Sequence, residues 1–378
     1  MEKIKLKRAC LVIAVIIVFE ILYFWVIKYN YNKEINIHLT EETKQIDTKV
    51  KYAINICDVV SETIFSQIIN KPYVLEIFSK AYRADNLEKK EIRKELYFNL
   101  LETYKHLKTL DIRQLHFHLP DNESFLRFHS PDNFGDNLTK DRYSVRMANK
   151  EKKIYKGFEE GKINDGFRYV FPLEYNNKHI GTVETSFSVE NIKKQLNLFG
   201  VSYTSFILKK ELMTETVFKD KQSFYKKSLI SDNYVTEAKE INNTKEAQKK
   251  IDKIDLSIKK NVERLLKENR NFSIYTKLDS DYYIVSFILI KSVDGRPAAY
   301  VTAYQKDNII YNHLKWLNYA LVIGLIFIPF FVGFVLMYMS KIKKTKEQNL
   351  ELKNSEKKLK TSEENFRTFF ETVDDMIF

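Results

Sequence analysis

The chain has 378 residues, and its 62 Lys+Arg against 50 Asp+Glu leave a formal charge of +12, with 44% hydrophobic and 30% charged residues. That balance excludes a disordered chain and a polytopic membrane protein, and the length predicts two domains. The 9 Gly and 6 Pro exclude collagen-like and Gly/Pro-linker architectures, and 2 Cys exclude a disulfide framework or a cysteine-based zinc site.

After the N-terminal stretch 1–8, the run 9–27 (ACLVIAVIIVFEILYFWVI) is predicted to be a first transmembrane helix, interrupted only by Glu20, which needs a partner or a snorkelling route. A cleaved signal peptide is the competing reading. The apolar core exceeds the usual length, and Tyr23, Phe24 and Trp25 offer no small-residue cleavage site. A second run, 316–338, carries no charge, has aromatic residues at both ends, and contains Pro329, which is either a kink or a packing feature. Lys3, Lys5, Lys7 and Arg8 precede the first run, and Lys341, Lys343, Lys344 and Lys346 follow the second. The positive-inside rule therefore places both termini in the cytoplasm and residues 28–315 outside. Cys10 and Cys57 then lie too far apart to bridge within one chain. Lysines are mixed with acids along the whole chain, so nucleic acid is not an expected partner.

Between the two runs, Ile35, Leu39, Ile46, Val50, Ala53, Cys57, Val60 and Ile64 recur at helical spacing from about Lys33 to Asn70. Pro72 ends that helix, and a second helix is predicted over Leu87 to Leu107. The period then changes to two. Leu115, Phe117 and Leu119 alternate with His116 and His118, a turn falls at Asp121-Asn122, and Ser124 to His129 forms the return strand. Residues 131–165 read as loop and helix, and a second hairpin spans Phe167 to Tyr175 and His179 to Ser188. A similar cycle follows: a strand from Tyr203 to Leu212, a helix from Thr244 to Asn269, then strands Phe272–Lys277, Tyr282–Ile290 and Ala298–Gln305. The expected fold class is α+β, with a distal module at about 70–190 and a proximal one at about 200–306.

HFHLP at 116–120, SFLRFH at 124–129, P-x-x-F-G-D-x-L at 131–138, G-F-E-x-G at 157–161, G-F-R-x-x-x-P at 166–172 and G-x-V-E at 181–184 together resemble the double-Cache sensor domains of bacterial receptors, in their third class. The motifs cover the distal module, and the proximal module matches in element order. The resemblance implies two tandem PAS-like modules on a long N-terminal helix, a homodimer, and two flanking membrane helices in the bacterial inner membrane, with the sensor outside. Leu352, Leu359 and Phe366 are spaced by sevens, which predicts a coiled-coil linker over 339–365. The stretch 362–378 resembles the start of a cytoplasmic PAS domain, 366–378 being its truncated entry. The 378 residues are thus expected to be the receptor half of a longer protein, with a histidine kinase or diguanylate cyclase output favoured over a chemoreceptor.

Strand alternation sorts the distal sheet into an apolar face, expected against the N-terminal helix, and a polar face carrying His116, His118, Arg127, His129, Arg168 and Glu184. Glu159 and Arg142, from the 131–165 excursion, join this candidate ligand-binding set. Arg127 and Arg168 could hold a carboxylate, and Glu159 or Glu184 an ammonium group. The bland alternative is a set of structural pairs, Arg127–Glu184 or Arg168–Glu159, with Asp136 capping the helix near Arg142. A third reading is a metal held by His116, His118 and His129. No cofactor is expected, the glycines at 157, 161 and 166 lack a phosphate-loop pattern, and Ser124 and Ser130 lack a nucleophile–base constellation. The expected function is a receptor for a small carboxylate or amino-acid-like molecule; the alternative is a sensor that binds a periplasmic protein.

Overall fold

The computed structural model describes residues 2–161, 165–216, 225–237 and 245–377. They form two compact units, Ile35–Tyr311 and the pair of segments Met1–Glu34 and Asn312–Phe378.

In the larger unit, helix α1 (Glu2–Ile64) contributes its stretch from Ile35 onward and buries Ile46, Val50, Ala53, Cys57 and Ile64. A π-helical turn, Phe65–Ile69, follows, and Pro72 occupies the first turn of a short helix α2 (Pro72–Ser79), where a missing N–H costs nothing. Pro72 therefore starts a helix as well as ending one. Helix α3 (Asn86–Thr109) opens with a capping box: Asp85 Oδ1 accepts from Leu87 N and Glu88 N at 2.8 and 2.9 Å, and Glu88 Oε2 accepts from Asp85 N at 2.9 Å. Asp85→Ala is expected to lower the stability of α3 by about 1 kcal/mol, read as faster amide exchange in its first turn.

The distal strands are β1 (Ile112–His118), β2 (Ser124–Arg127), β3 (Tyr155–Glu159), β4 (Gly166–Tyr175) and β5 (Lys178–Phe187), joined across the sheet by helix α4 (Tyr143–Glu151). Among the described residues they form an antiparallel sheet in the order β2-β1-β5-β4-β3. The strand β3 corrects the sequence reading of 131–165 as loop and helix alone. It carries only Phe158 and Glu159 as buried positions, too short a run to show a period of two. One face of this sheet packs Phe117, Phe167, Tyr169 and Val183 with the buried stripe of α1, as the alternation predicted. Tyr169 Oη also donates to the carbonyl of Ile54 at 3.2 Å, and Thr185 Oγ1 to Ser61 Oγ at 2.9 Å. Gly181 permits the closest approach in this layer. At φ +135° its missing Cβ would strike the carbonyl of His118 and crowd the Phe78 ring.

Helix α5 (Val189–Leu198) leads to the proximal module: β6 (Tyr203–Lys209), α6 (Lys210–Thr216), β7 (Tyr225–Lys227), β8 (Tyr234–Glu237), α7 (Lys245–Lys267), β9 (Phe272–Leu278), β10 (Asp281–Lys291) and β11 (Pro297–Asp307). Its antiparallel order is β7-β8-β6-β11-β10-β9, with α7 burying Ile251, Ile254, Ile258 and Val262 against Val285, Phe287 and Tyr300. The predicted strand to Leu212 ends instead at Lys209, where α6 begins. The start of the predicted helix at Thr244 lies outside the described residues. The modules meet where Phe158 bridges Ser292, and where the carbonyl of Phe158 accepts from Val293 N at 2.7 Å.

The smaller unit consists of two helices, each long and apolar enough to cross a membrane. Tyr23 Oη donates to the carbonyl of Ala320 at 2.8 Å, and Gly324 makes room for the Tyr23 ring. Glu20 Oε1 has no hydrogen-bond partner among the described residues. The second helix, α8 (Ile309–Ile377), runs unbroken past Pro329 and stays helical through Ile377, over the stretch that resembles the start of a PAS domain.

Candidate ligand cavity of the distal sheet

The register explains which side chains meet. On β1 His116 lies opposite Arg127 of β2 on one side and Glu184 of β5 on the other, and Glu184 in turn faces Val170 of β4. Side chains at directly opposed positions share a face, so the polar residues gather on the side away from α1. The excursion 131–165 closes over them. Val145 and Ala148 of α4 pack on Val170, which carries Arg142, at the foot of that helix, onto the sheet.

The result is a buried ionic network. Arg142 donates from Nε to Glu159 Oε2 at 2.9 Å and from Nη2 to Glu184 Oε2. Arg168 donates from Nη1 to Glu184 Oε1 at 2.7 Å and to Gln114 Oε1 at 3.0 Å, with its Nε 3.8 Å from Glu159 Oε2. Glu159 further accepts from Ser144 N at 2.8 Å and Ser144 Oγ at 2.6 Å, so it caps α4 from outside the helix. This corrects the expectation that Asp136 caps that helix. Asp136 instead takes Arg127 bidentately at 2.7 and 2.8 Å, while Arg127 also reaches the carbonyl of Asn133 at 2.8 Å. Of the two expected pairs, Arg127 is bound to Asp136 rather than to Glu184, while Arg168 does pair with Glu159 at 3.8 Å but makes its shorter carboxylate contact with Glu184.

Electrostatics follow from this burial. Desolvation would raise the Glu184 carboxyl, but Arg142 and Arg168 outweigh it and hold the group down at about 2. Arg142 is pushed up by the same two carboxylates against its own burial. His116 and His118 are buried with ring centroids 4.0 Å apart, and desolvation pushes His118 down to about 3 and His116 well below its usual range. Both imidazoles are uncharged at neutral pH. His116 Nε2 lies 2.8 Å from Ser124 Oγ, and His118 Nδ1 lies 3.0 Å from Thr182 Oγ1.

Between the network and the 130–141 loop lies a cavity of about 680 Å³. His116, Arg127, His129, Arg142 and Arg168 line it, together with Gln114, Ser130, Asn133, Phe134, Asp136 and Asp141. Of the predicted set, Glu159, Glu184 and His118 stand behind this lining, and the two glutamates fix Arg142 and Arg168. His129 is exposed, beyond the end of β2, and is replaced by Glu184 in the group with metal-ligand spacing, His116, His118 and Glu184. Sequence reasoning missed Gln114, Asp136 and Ser144 as site residues. Only Asp136 stood in a quoted motif, and its neighbour Gly135 made a turn the simpler reading.

Residues 59–302 match the family described as the double sensory domain of two-component sensor kinases, dCache_3. Comparison with curated proteins gives no match. Among solved structures, the chain is similar to the sensory domain of the Campylobacter jejuni chemoreceptor Tlp3 with isoleucine bound, at 13% identity and TM-score 0.40, covering 75% of this chain and 97% of that one. It is similar to a domain of a sensory box/GGDEF family protein from Vibrio parahaemolyticus at 13% identity and TM-score 0.38, covering 72% and 97%. It is also similar to the sensor domain of the V. cholerae histidine kinase DctB at 10% identity and TM-score 0.38, covering 71% and 98%. The match spans more than half of the chain and both sheets, and the protein belongs to the double-Cache family of extracytoplasmic sensor domains, in its third class.

Proposed function

We propose that this chain is a homodimeric transmembrane receptor whose distal cavity binds a small polar molecule bearing a carboxylate, such as an organic or amino acid. The observation that carries the reading is the cavity of about 680 Å³ with three guanidiniums on its wall, at a size fit for a metabolite. Arg142 spends Nε and Nη2 on Glu159 and Glu184, which leaves Nη1 for a ligand oxygen. Arg127, at the rim and bound to Asp136, can exchange that partner for the ligand and release the loop.

Ligand-driven motion of the loop and α4 would then alter how the sheet grips α1. At the base of the same unit, His38 Nε2 of α1 lies 2.9 Å from Asp307 Oδ2, while Asp307 Oδ1 accepts from Ile310 N at 2.7 Å and caps α8. This contact ties the two helices that lead to the membrane. The exposed stripe Tyr52, Ile56 and Val59 on α1 supports a dimer face. The relay would continue through the second span and the 339–365 coiled coil to a cytoplasmic PAS domain and a kinase or cyclase, from a sensor facing the periplasm with both termini in the cytoplasm.

Thermal-shift screening of the full chain in detergent against organic acids, amino acids and amines tests this. A ligand at a hundred times its Kd stabilises the fold by about 2.7 kcal/mol, a shift that Arg127→Gln should reduce. No stabilising compound, or one whose shift is indifferent to Arg127→Gln, overturns the assignment. A second reading, docking of an acidic periplasmic protein, is favoured by a groove of about 600 Å³ along α3, where Lys90 and Lys94 flank Phe98, 69% exposed.

A further inference from the structure

Behind the cavity wall, one ring nitrogen of His116, one of His118 and a carboxylate oxygen of Glu184 lie within 4.8 Å of one another, and all three residues are buried. Among the described residues, His118 Nε2 has no hydrogen-bond partner although its residue is fully buried. A buried polar atom without a partner is costly, and the nearest acceptor does not relieve it. Glu184 Oε2 is 4.0 Å away, too long for a hydrogen bond. Two metal–ligand bonds of about 2.0–2.2 Å, however, span such a gap with little closure.

From this geometry we infer that His116, His118 and Glu184 bind a borderline divalent cation, Zn²⁺ in the first instance. The surrounding groups have the form that metal-bound histidines require. Ser124 Oγ engages Nε2 of His116 and Thr182 Oγ1 engages Nδ1 of His118, so a hydroxyl orients each imidazole, and on His118 Nε2 is left for the ion. Arg168 and Arg142 orient the carboxylate of Glu184 from its two oxygens. Charge does not forbid the ion. The carboxylates of Glu159, Glu184, Asp136 and Asp141 outnumber the guanidiniums of Arg127, Arg142 and Arg168 by one, so a divalent ion brings the site to a single net positive charge. His116 lines the cavity, which supplies an entry path and a side from which water completes a tetrahedral shell. The inference stands whether or not an organic molecule occupies the cavity.

The test uses the full chain without a histidine tag, purified in detergent, stripped with chelator and titrated with Co²⁺ as an optical stand-in for Zn²⁺. One equivalent is expected to bind with the intense visible absorption of a tetrahedral site, and Zn²⁺ should displace it. His118→Ala is expected to weaken binding at least about 100-fold and Thr182→Val, which keeps shape and the ligands, about 10-fold. His106→Gln, an exposed site on α3, should change nothing. Failure of the folded wild-type chain to take up one equivalent overturns the inference even where His118→Ala does not fold. So does undiminished affinity in Thr182→Val and His118→Ala, or an equal loss in His106→Gln.

Discussion

Arg142→Met is expected to destabilise the distal sheet by about 3–5 kcal/mol, the cost of breaking a buried ion pair from one side. Arg142 is 7% exposed and bonds two carboxylates at once, Glu159 and Glu184, themselves 4% and 0% exposed. Methionine fills a similar volume, so the loss is electrostatic rather than a cavity. It leaves Glu184 to Arg168 alone and Glu159 to Ser144 and a longer contact of 3.8 Å with Arg168. Amide exchange of the β4 and β5 backbone in the full chain reads the local stability, and should accelerate by roughly a hundred- to several-thousand-fold. Adding Glu159→Gln to Arg142→Met should recover part of the loss, because the uncompensated charge is then removed. An acceleration below about tenfold would mean that solvent screens the network, and the cavity would lose its rigid wall.

The strands and the faces they present were legible where a period of two ran for five residues or more. Along β1, Leu115 and Phe117 turn to α1 while His116 and His118 turn away, as their alternation required. The pairing of charges was not legible, because it depends on register and on loop path. Alternation puts Arg127 and Glu184 on one face, but β1 lies between β2 and β5, so the two residues occupy strands that never pair. Arg127 then takes the nearest carboxylate the returning loop offers. That loop hydrogen-bonds along β2, with Ser124 N to the carbonyl of Asp136 at 2.9 Å and Gly135 N to that of Ser124 at 2.8 Å, and so sets Asp136 beside Arg127. The motif P-x-x-F-G-D-x-L marked the segment without telling which end of Asp136 mattered. Likewise α2, β7 and β8 have at most eight residues each, too few for hydrophobic spacing to separate helix from strand from turn.

Glu160→Gln is expected to remove one contribution to the pH dependence of stability, a loss that the Glu160 carboxyl imposes on the wild-type chain as pH rises from about 5 to about 7.5. Glu160 is 5% exposed at the junction of the two modules, just beyond the point where Phe158 bridges Ser292. Its Oε2 lies 3.4 Å from Ser292 Oγ, and Oε1 has no partner among the described residues. Burial, helped by the nearby Asp165 and Glu159 and opposed by Arg296, pushes its carboxyl up to about 7. A carboxyl raised in the folded state binds its proton more tightly there than in the unfolded chain. The contribution of Glu160 to stability therefore declines with pH between the ordinary carboxylate value and about 7, and levels off above. A shift of this size corresponds to roughly 3 kcal/mol. Asp165 is also raised, and it accepts from Tyr225 Oη at 2.6 Å, so part of the slope remains in the variant. Glu184, held at about 2, stays ionised throughout this window. The buried His116 and His118, pushed below the ordinary imidazole value, add a rise in stability with pH that wild type and variant share, so the difference between the two chains reads Glu160. Unfolding of wild type and Glu160→Gln, compared at pH 5, 6, 7 and 8, should diverge steadily, with the variant the more stable at pH 8. Parallel curves would place the Glu160 carboxylate in water and leave the module junction without its proton-linked contact.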